Sequence, residues 1–413
     1  MSETDLSSTA AKAKEPYITD DWHVSSRIYR DPTIFARELA SVFKKTWVFV
    51  AHESEIPSGG DYKTAHIGRQ PVIVSRSADT GEINAMFNRC RHRGSAVCQR
   101  EFGNANFFRC HYHGWTYSSS GELVGVPFDD GYGDDFDKKS MGLVHVPRVD
   151  SYRGFVFASL DPQVAPLPEY LGNAGRYLDF IADLGDEGPE LASNAQKLVY
   201  KGNWKLQIEN TIDPYHFSFT HKSWLDILKD RTGKSSPWVK NVRTNKDWRG
   251  IDLGGGHAVH EFGPLEKAGQ NAHSIGIGEL IPFNLNVFPS LAFVGAHLRL
   301  VVPRSVNETW VYLYPLLPKG ADAETRNRIL RDHEIFYGAS GFGSTDDIEV
   351  GFDRVTEGLE SSESAEDWTL MARGLHREEI DEEAGTRVGR SSDEVPQRAY
   401  LRRWLGLMEE QNA

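Results

Sequence analysis

Apolar and polar positions along the chain follow more than one period. Residues 17–45 carry Phe35, Leu39, Val42 and Phe43 at helical spacing, which predicts a helix there. From about residue 46 to 160 the pattern shortens to brief β-rich runs: WVFVAH, DYKTAHI, PVIVSRS, INAMFNR, NFFRCHY, LVHVPRV and GFVFASL. Gly, Pro, Asn and Asp separate them, as in a small all-β unit with frequent turns. The insert DDGYGDDFDKK at 129–139 is acidic and glycine-bearing, so a surface loop is expected. After Pro162 the period lengthens again. EYLGNAGRYLDFIADL predicts an amphipathic helix, and AQKLVYKGNWKL a strand. IGELIPFNLNVFPSLAFVGAHLRLVVP and ETWVYLYPLLP predict adjacent strands joined by RSVN. DAETRNRILRDHEIFYGA predicts a further helix, and residues 357–395 read as loops and exposed helix. The first 16 residues are polar and expected to be a disordered tail. No internal repeat is visible.

Composition narrows the classes. The 413 residues are 39% hydrophobic and 25% charged, ordinary for a globular protein. The net charge is −13, from 59 acidic and 46 basic residues. That argues against nucleic acid, whose binding needs a basic patch, and against an anionic membrane surface. The N-terminus lacks a basic and then apolar secretory pattern. Apolar runs such as WVFVA at 47–51 fall far short of the ~20 residues that span a bilayer. A cytoplasmic protein is therefore expected. Cys90, Cys98 and Cys110 are the only cysteines, too few for a disulfide framework and more typical of metal binding.

Two of them fall in a pattern. CRHRG at 90–94 is answered by CHYHGW at 110–115, so Cys90, His92, Cys110 and His113 arrive from two loops of the β-rich unit. Such ligands suit zinc or an iron–sulfur cluster. Zinc sites usually pair Cys with Cys and His with His. Here each loop supplies one of each. That suits a [2Fe–2S] centre with two thiolates on one iron and two imidazoles on the other. Cys98 and His111 lie outside the spacing and are expected to be structural.

A second constellation is ENTIDPYHFSFTH at 209–221. Asp213 and His216 are three apart and would share a helix face. On an ideal helix His216 and His221 would lie about 140° apart. Both can serve one ion only if the helix ends or distorts between them. Pro214 disfavours helix at the residue before it, and Phe217–Thr220 is a weak helical run. Two histidines and a carboxylate form the facial triad of oxygen-activating Fe(II), with Asp213 the nearest candidate acid. Downstream, AFVGAHLRLVVP alternates, with His297, Arg299 and Val301 on one face. A charged Arg299 among apolar neighbours needs an anion or an exit to water.

Together, CRHRG…CHYHGW and ENTIDPYHFSFTH resemble the alpha (large) subunits of Rieske non-heme iron aromatic ring-hydroxylating dioxygenases. The resemblance implies an α+β chain. Residues 46–160 would form an all-β Rieske [2Fe–2S] domain. Residues 161–413 would form a catalytic domain with a large antiparallel sheet flanked by helices, against which residues 1–45 pack. It also places the cluster on Cys90, His92, Cys110 and His113, and a mononuclear Fe(II) on His216 and His221. The third ligand is then sought in GFGSTDDIEVGF at 341–352, at Asp347 with Asp346 as the alternative. Asp213 becomes the link to a Rieske histidine of a neighbouring subunit, and Asn210 and Tyr215 are expected to orient ligands.

Within the family the chain is similar to subunits acting on aromatic acids such as terephthalate, salicylate and halobenzoate. This implies Arg299 and Arg390 as holders of substrate carboxylates, and a mono-acid if only one of them reaches the pocket. The implied activity is cis-dihydroxylation of an aromatic acid, terephthalate-like, with O2. Electrons would come from NAD(P)H through a reductase. A beta subunit in an α3β3 hexamer, or an α3 ring, is implied as well. An aromatic-acid monooxygenase with the same iron sites and a Rieske electron carrier without oxygenase chemistry are the alternatives.

Overall fold

The computed structural model describes residues 16–191, 195–236, 238–263, 265, 281–338, 340–363 and 367–410. The expected N-terminal tail lies outside these residues but for its last position, and so does the start of the predicted IGELIP strand.

The larger unit is built on one antiparallel sheet of ten strands among the described residues. Its path runs Pro189–Leu191, Glu308–Pro318, His297–Ser305, Leu291–Val294, Phe283–Val287, His257–Phe262, Trp248–Gly254, Thr386–Arg390 and Glu379–Asp381. Gln196–Tyr200 pairs with Glu308–Pro318 as well. The sequence explains the central strands. LRLVVP and VYLYPLLP are nearly continuous apolar runs, and both are buried along most of their length.

The helix Trp204–Thr211 lies across the strands at 283–287, 291–294 and 297–305. Its start is capped by Asn203, whose side chain accepts from the Lys205 N–H. The strand read through AQKLVYKGNWKL therefore stops at Tyr200, because Gly202 and the Asn203 cap turn the rest into helix. The helix at 323–337 forms as expected, capped by Asp322. EYLGNAGRYLDFIADL does not form one helix. Gly172, with φ +45°, breaks it into Leu167–Leu171 and Gly175–Ala182. Among the described residues of 357–395 are three short strands, at 368–370, 379–381 and 386–390, where loops and exposed helix are expected. The closing helix Val395–Glu409 buries Tyr400, Trp404 and Leu407.

The smaller unit contains a four-stranded sheet ordered 83–87, 70–76, 61–67, 102–104 and a three-stranded sheet of 107–109, 116–118 and 123–125. The runs WVFVAH and GFVFASL become Val48–His52 and Phe155–Ser159, which pair with each other. Both are buried on both faces. Phe49, Phe155 and Phe157 pack into the core of the large sheet with Phe293 and Leu298. Val48, Val50, Val156 and Ala158 face a second core that includes Val72 and Val74. This strand pair therefore joins the two units. LVHVPRV yields a strand only from Arg148, with one isolated bridge at His145.

The segment 17–45 departs from the single helix its apolar spacing predicts. A short strand, His23–Ser25, precedes the helical turns Arg27–Arg30 and Pro32–Glu38, and a π-type turn follows at Leu39–Phe43. Glu38 is fully buried here. Its carboxylate accepts from Lys205 Nζ at 2.5 Å, Trp204 Nε1 at 2.9 Å and Trp404 Nε1 at 2.8 Å. A buried ion pair needs further hydrogen bonds on its remaining lone pairs, and the two indole N–H groups supply these to the carboxylate. It ties the N-terminal segment to both the central helix and the last one.

Candidate metal centres

The two Cys-His loops have the same backbone closure. The Cys90 N–H donates to Ser95 O and the Gly94 N–H to Cys90 O. The Cys110 N–H donates to Trp115 O and the Gly114 N–H to Cys110 O in the same way. Gly94 and Gly114 have φ near +78° and +74°, which lets each loop turn back. A Cβ on Gly114 would come within 2.9 Å of Pro127. Cys90 and Cys110 are buried and unbridged. The His92 and His113 rings stand 4.6 Å apart, and His92 stacks on Trp115 at 5.1 Å. His92 Nδ1 is sealed from water and has no hydrogen-bond partner among the described residues. A buried imidazole nitrogen without a partner beside buried thiols suits a cluster ligand, so the donor set fits a [2Fe–2S] group. Tyr117 steadies the first loop, its hydroxyl 3.3 Å from Cys90 Sγ and accepting the Arg91 N–H. The acidic insert is exposed as expected, but its Tyr132 and Phe136 rings pack on Trp115. It therefore covers one side of this centre. Cys98 is buried outside the loop closures, with its amide donating to Asn88, and His111 is exposed.

The second centre is assembled from three elements. The helix at 204–211 ends at Ile212, ahead of Asp213 and Pro214. One turn, Phe217–Thr220, follows, with His216 at its N-cap and His221 leaving helical geometry at its end (φ −99°, ψ 30°). The next helix starts at Lys222. The break brings the two imidazoles together, with ring centroids 5.4 Å apart. From the far part of the chain, Asp347 opens a π-type stretch at 347–353 and points its Oδ1 between them. That oxygen lies 3.5 Å from His216 Nε2 and 3.2 Å from His221 Nε2. Ligand atoms of His216, His221 and Asp347 lie within 4.8 Å of one another.

Each histidine has a carboxylate behind its other nitrogen. Asp346 Oδ2 is 3.3 Å from His221 Nδ1, and Asp213 Oδ1 is 3.6 Å from His216 Nδ1. Nδ1–H facing a carboxylate leaves Nε2 as the lone-pair donor toward Asp347. Burial would lower the His216 pKa, but the Asp213 and Asp347 carboxylates raise it to about 10. Burial would raise Asp347, but the two imidazoles hold it well below the usual carboxylate range. Such a cluster demands positive charge, and three convergent N and O donors fit a divalent iron. Between the two acids left open by the sequence, Asp347 faces both imidazoles and Asp346 stands behind one.

Other expected residues fall differently. Asn210 does meet the centre, as its Nδ2 donates to Asp347 Oδ1 at 2.9 Å. Tyr215 turns away from it. Its hydroxyl donates to Glu394 Oε1 at 2.9 Å, so it anchors the loop to the C-terminal segment, and only its amide supports Asp213. Adjacent positions of the broken turn meet different partners, His216 facing Asp347 and Tyr215 facing Glu394. Arg299 is buried under the 204–211 helix, its Nη1 3.3 Å from Asn210 Oδ1. Arg390 is not brought to this centre. It stands exposed at the end of Thr386–Arg390, and its amide donates to Asp393. Sequence reasoning did not single out His333, which meets His297 nitrogen to nitrogen at 3.0 Å in the buried wall beside Arg299. Its spacing of four from Ile329 and Tyr337, the other buried positions of the 323–337 helix, was the available signal.

Residues 46–147 match the Rieske [2Fe-2S] domain family, and residues 190–388 match the catalytic domain of ring-hydroxylating alpha subunits. The alpha subunit of toluate 1,2-dioxygenase from Pseudomonas putida is 36% identical over 348 residues, 78% of this chain and 76% of its own. The large subunit of anthranilate 1,2-dioxygenase from Acinetobacter baylyi is 34% identical over 391 residues, covering 86% and 81%. Naphthalene 1,2-dioxygenase from a Rhodococcus species, solved with indole, superposes with a TM-score of 0.83 at 31% identity, over 95% of this chain and 96% of that one. The fold and its two centres define a Rieske non-heme iron oxygenase. The chain belongs to the family of ring-hydroxylating dioxygenase alpha subunits, with a [2Fe–2S] cluster and a mononuclear iron as its cofactors. No helix among the described residues is long and apolar enough to cross a membrane.

Proposed function

We propose that this chain is the terminal oxygenase subunit that cis-dihydroxylates an aromatic ring bearing one carboxylate. The observation that carries the reading is Arg299. It is 5% exposed, yet no carboxylate among the described residues lies within ion-pair distance of it. A buried cation without a counter-charge costs several kcal/mol, so the position is suited to receiving an anion from outside. A guanidinium grips a carboxylate with two parallel hydrogen bonds. The exposed Arg390 leaves one such grip rather than two, which favours a benzoate-like mono-acid over terephthalate. The names of the toluate and anthranilate enzymes point the same way.

His216, His221 and Asp347 would hold the iron, and Cys90, His92, Cys110 and His113 the cluster. When bound, the iron supplies O2 activation and the cluster one-electron delivery. Asp213 accepts the N–H groups of Tyr215 and His216 at 2.9 and 3.1 Å, which fixes the loop. It also offers a carboxylate beside His216 Nδ1 as a bridge to a neighbouring subunit's cluster-holding histidine. A head-to-tail ring of three chains closes this arrangement, since heterologous interfaces close by rotation. A beta subunit and an NAD(P)H-dependent reductase complete the system.

The test is a panel of benzoate, a toluate, terephthalate, toluene and naphthalene, assayed with a surrogate reductase and 18O2. Benzoate or toluate should give a cis-diol carrying two labelled oxygens. Preference for terephthalate or for the uncharged rings sinks the mono-acid reading, and a single labelled oxygen sinks dioxygenation.

A further inference from the structure

We infer that Arg299 and Asn210 act as a relay that sets the iron-ligating carboxylate, so that Arg299 is a positioning residue for the metal centre in its own right. The inference rests on reading His216, His221 and Asp347 as the iron ligands.

An Asn amide has an oxygen that only accepts and a nitrogen that only donates, and its orientation must be deduced from its neighbours. Asn210 has two sets. On one side stands Arg299, whose guanidinium has donors only, with Nη1 3.3 Å from Asn210 Oδ1. On the other stands Asp347, an acceptor, with Oδ1 2.9 Å from Asn210 Nδ2. Asn210 Nδ2 also lies 3.4 Å from His216 Nε2. Rotating the amide by half a turn would set N–H against guanidinium and oxygen against carboxylate. Both contacts would then be repulsive. The cation therefore dictates which face of the amide Asp347 meets.

Arg299 is itself fixed. Its Nη1 is 3.4 Å from Thr211 Oγ1, and its guanidinium carbon lies 5.4 Å from the Tyr337 ring centroid. It sits on the central strand at 297–305, under the helix that carries Asn210. A rigid strand thus controls a carboxylate supplied by the π-type turn at 347–353, the least regular of the three elements. Groups behind a ligand orient it and tune its basicity. The Asn210 N–H does this to the oxygen that both imidazoles face.

The test uses protein with its Rieske cluster loaded, without substrate, so it is blind to any role of Arg299 in holding a carboxylate. Mononuclear Fe(II) affinity is measured anaerobically by chelator competition, with the visible Rieske spectrum as the fold control. Asn210→Ala and Arg299→Gln should each weaken Fe(II) binding by about 10–100-fold. The double variant should fall no further than the weaker single, because both act through one amide. Arg299→Lys, which keeps a donor and the charge, should recover most of the affinity. An unchanged affinity in Arg299→Gln, or losses that multiply in the double variant, overturns the relay. His216→Ala is the separate control. If it keeps full iron affinity, the ligand assignment fails, not the relay alone.

Discussion

The two metal centres of this chain are built in opposite ways. The Rieske residues come from two loops seventeen residues apart, each closed by the same two backbone hydrogen bonds and each turned by a positive-φ glycine. Residues on one edge of that centre, His111 and Tyr112, are exposed. The mononuclear centre takes two histidines from a broken helix and its carboxylate from a turn more than a hundred residues later. His221 and Asp347 are buried. The first centre is local and repeats a short motif. The second exists only because a sheet carries distant elements to one place. Local loops should tolerate damage elsewhere, whereas the assembled centre should depend on partners that never touch the metal.

The largest effect expected is at the carboxylate that completes the assembled centre. Asp347→Ala should cost more iron affinity than the ~10–100-fold typical of outer partners. Turnover should vanish while the Rieske absorbance stays. Metal analysis and visible spectra read the two centres separately, and loss of both would show that they are not independent. Asp213→Ala should lower turnover at least about tenfold with mononuclear iron retained within about twofold, since the carboxylate lies behind His216 and is not among the three convergent donors. Iron loss in that variant would make Asp213 a ligand after all.

Acid should strain the sheet that carries the assembled centre. Burial lowers His257 and His260 to about 4, and His257 is locked neutral between the Tyr170 carbonyl and the Phe288 N–H. Below pH 6.5 the unfolded chain binds protons that these folded imidazoles refuse. The contribution of these two histidines should therefore fall as pH drops from 6.5 toward 4 and level off below that, by up to about 3 kcal/mol per histidine. Thermal melts across that range, with His257→Gln flattening the slope, check the sign and the source.

The smallest effects separate the two glycines. Gly94→Ala meets only Arg89 Nε at 3.5 Å, so the positive φ alone should cost about 1–2 kcal/mol. Gly114→Ala adds a 2.9 Å contact with the Pro127 ring and should cost about 1 kcal/mol more. Thermal bleaching of the Rieske spectrum gives both values, and equal losses would remove the distinction between the loops.

Much was legible in the sequence by itself. Runs such as DYKTAHI and ETWVYLYPLLP became strands, because period-two or continuous apolar patterning with turn residues at the ends leaves few alternatives. The Cys-His loops were legible because ligands and turn glycines lie within six residues of each other. So was the break between His216 and His221, since five positions is the wrong spacing for one helix face. Tertiary structure decided the rest. Gly172 split a helix whose apolar period ran straight through it, and the last helix, with Trp404 on Glu38, carried no local signal of what it would bury. Asp346 and Asp347 are adjacent acids that differ only in the face each presents, and a π-type turn fixed that. Tyr215 was placed by its position in the motif and Arg390 by resemblance, while the fold turned one toward Glu394 and left the other exposed. Chemistry that lives within one loop is written in the chain. Chemistry shared between distant elements depends on which side chains a common sheet brings face to face.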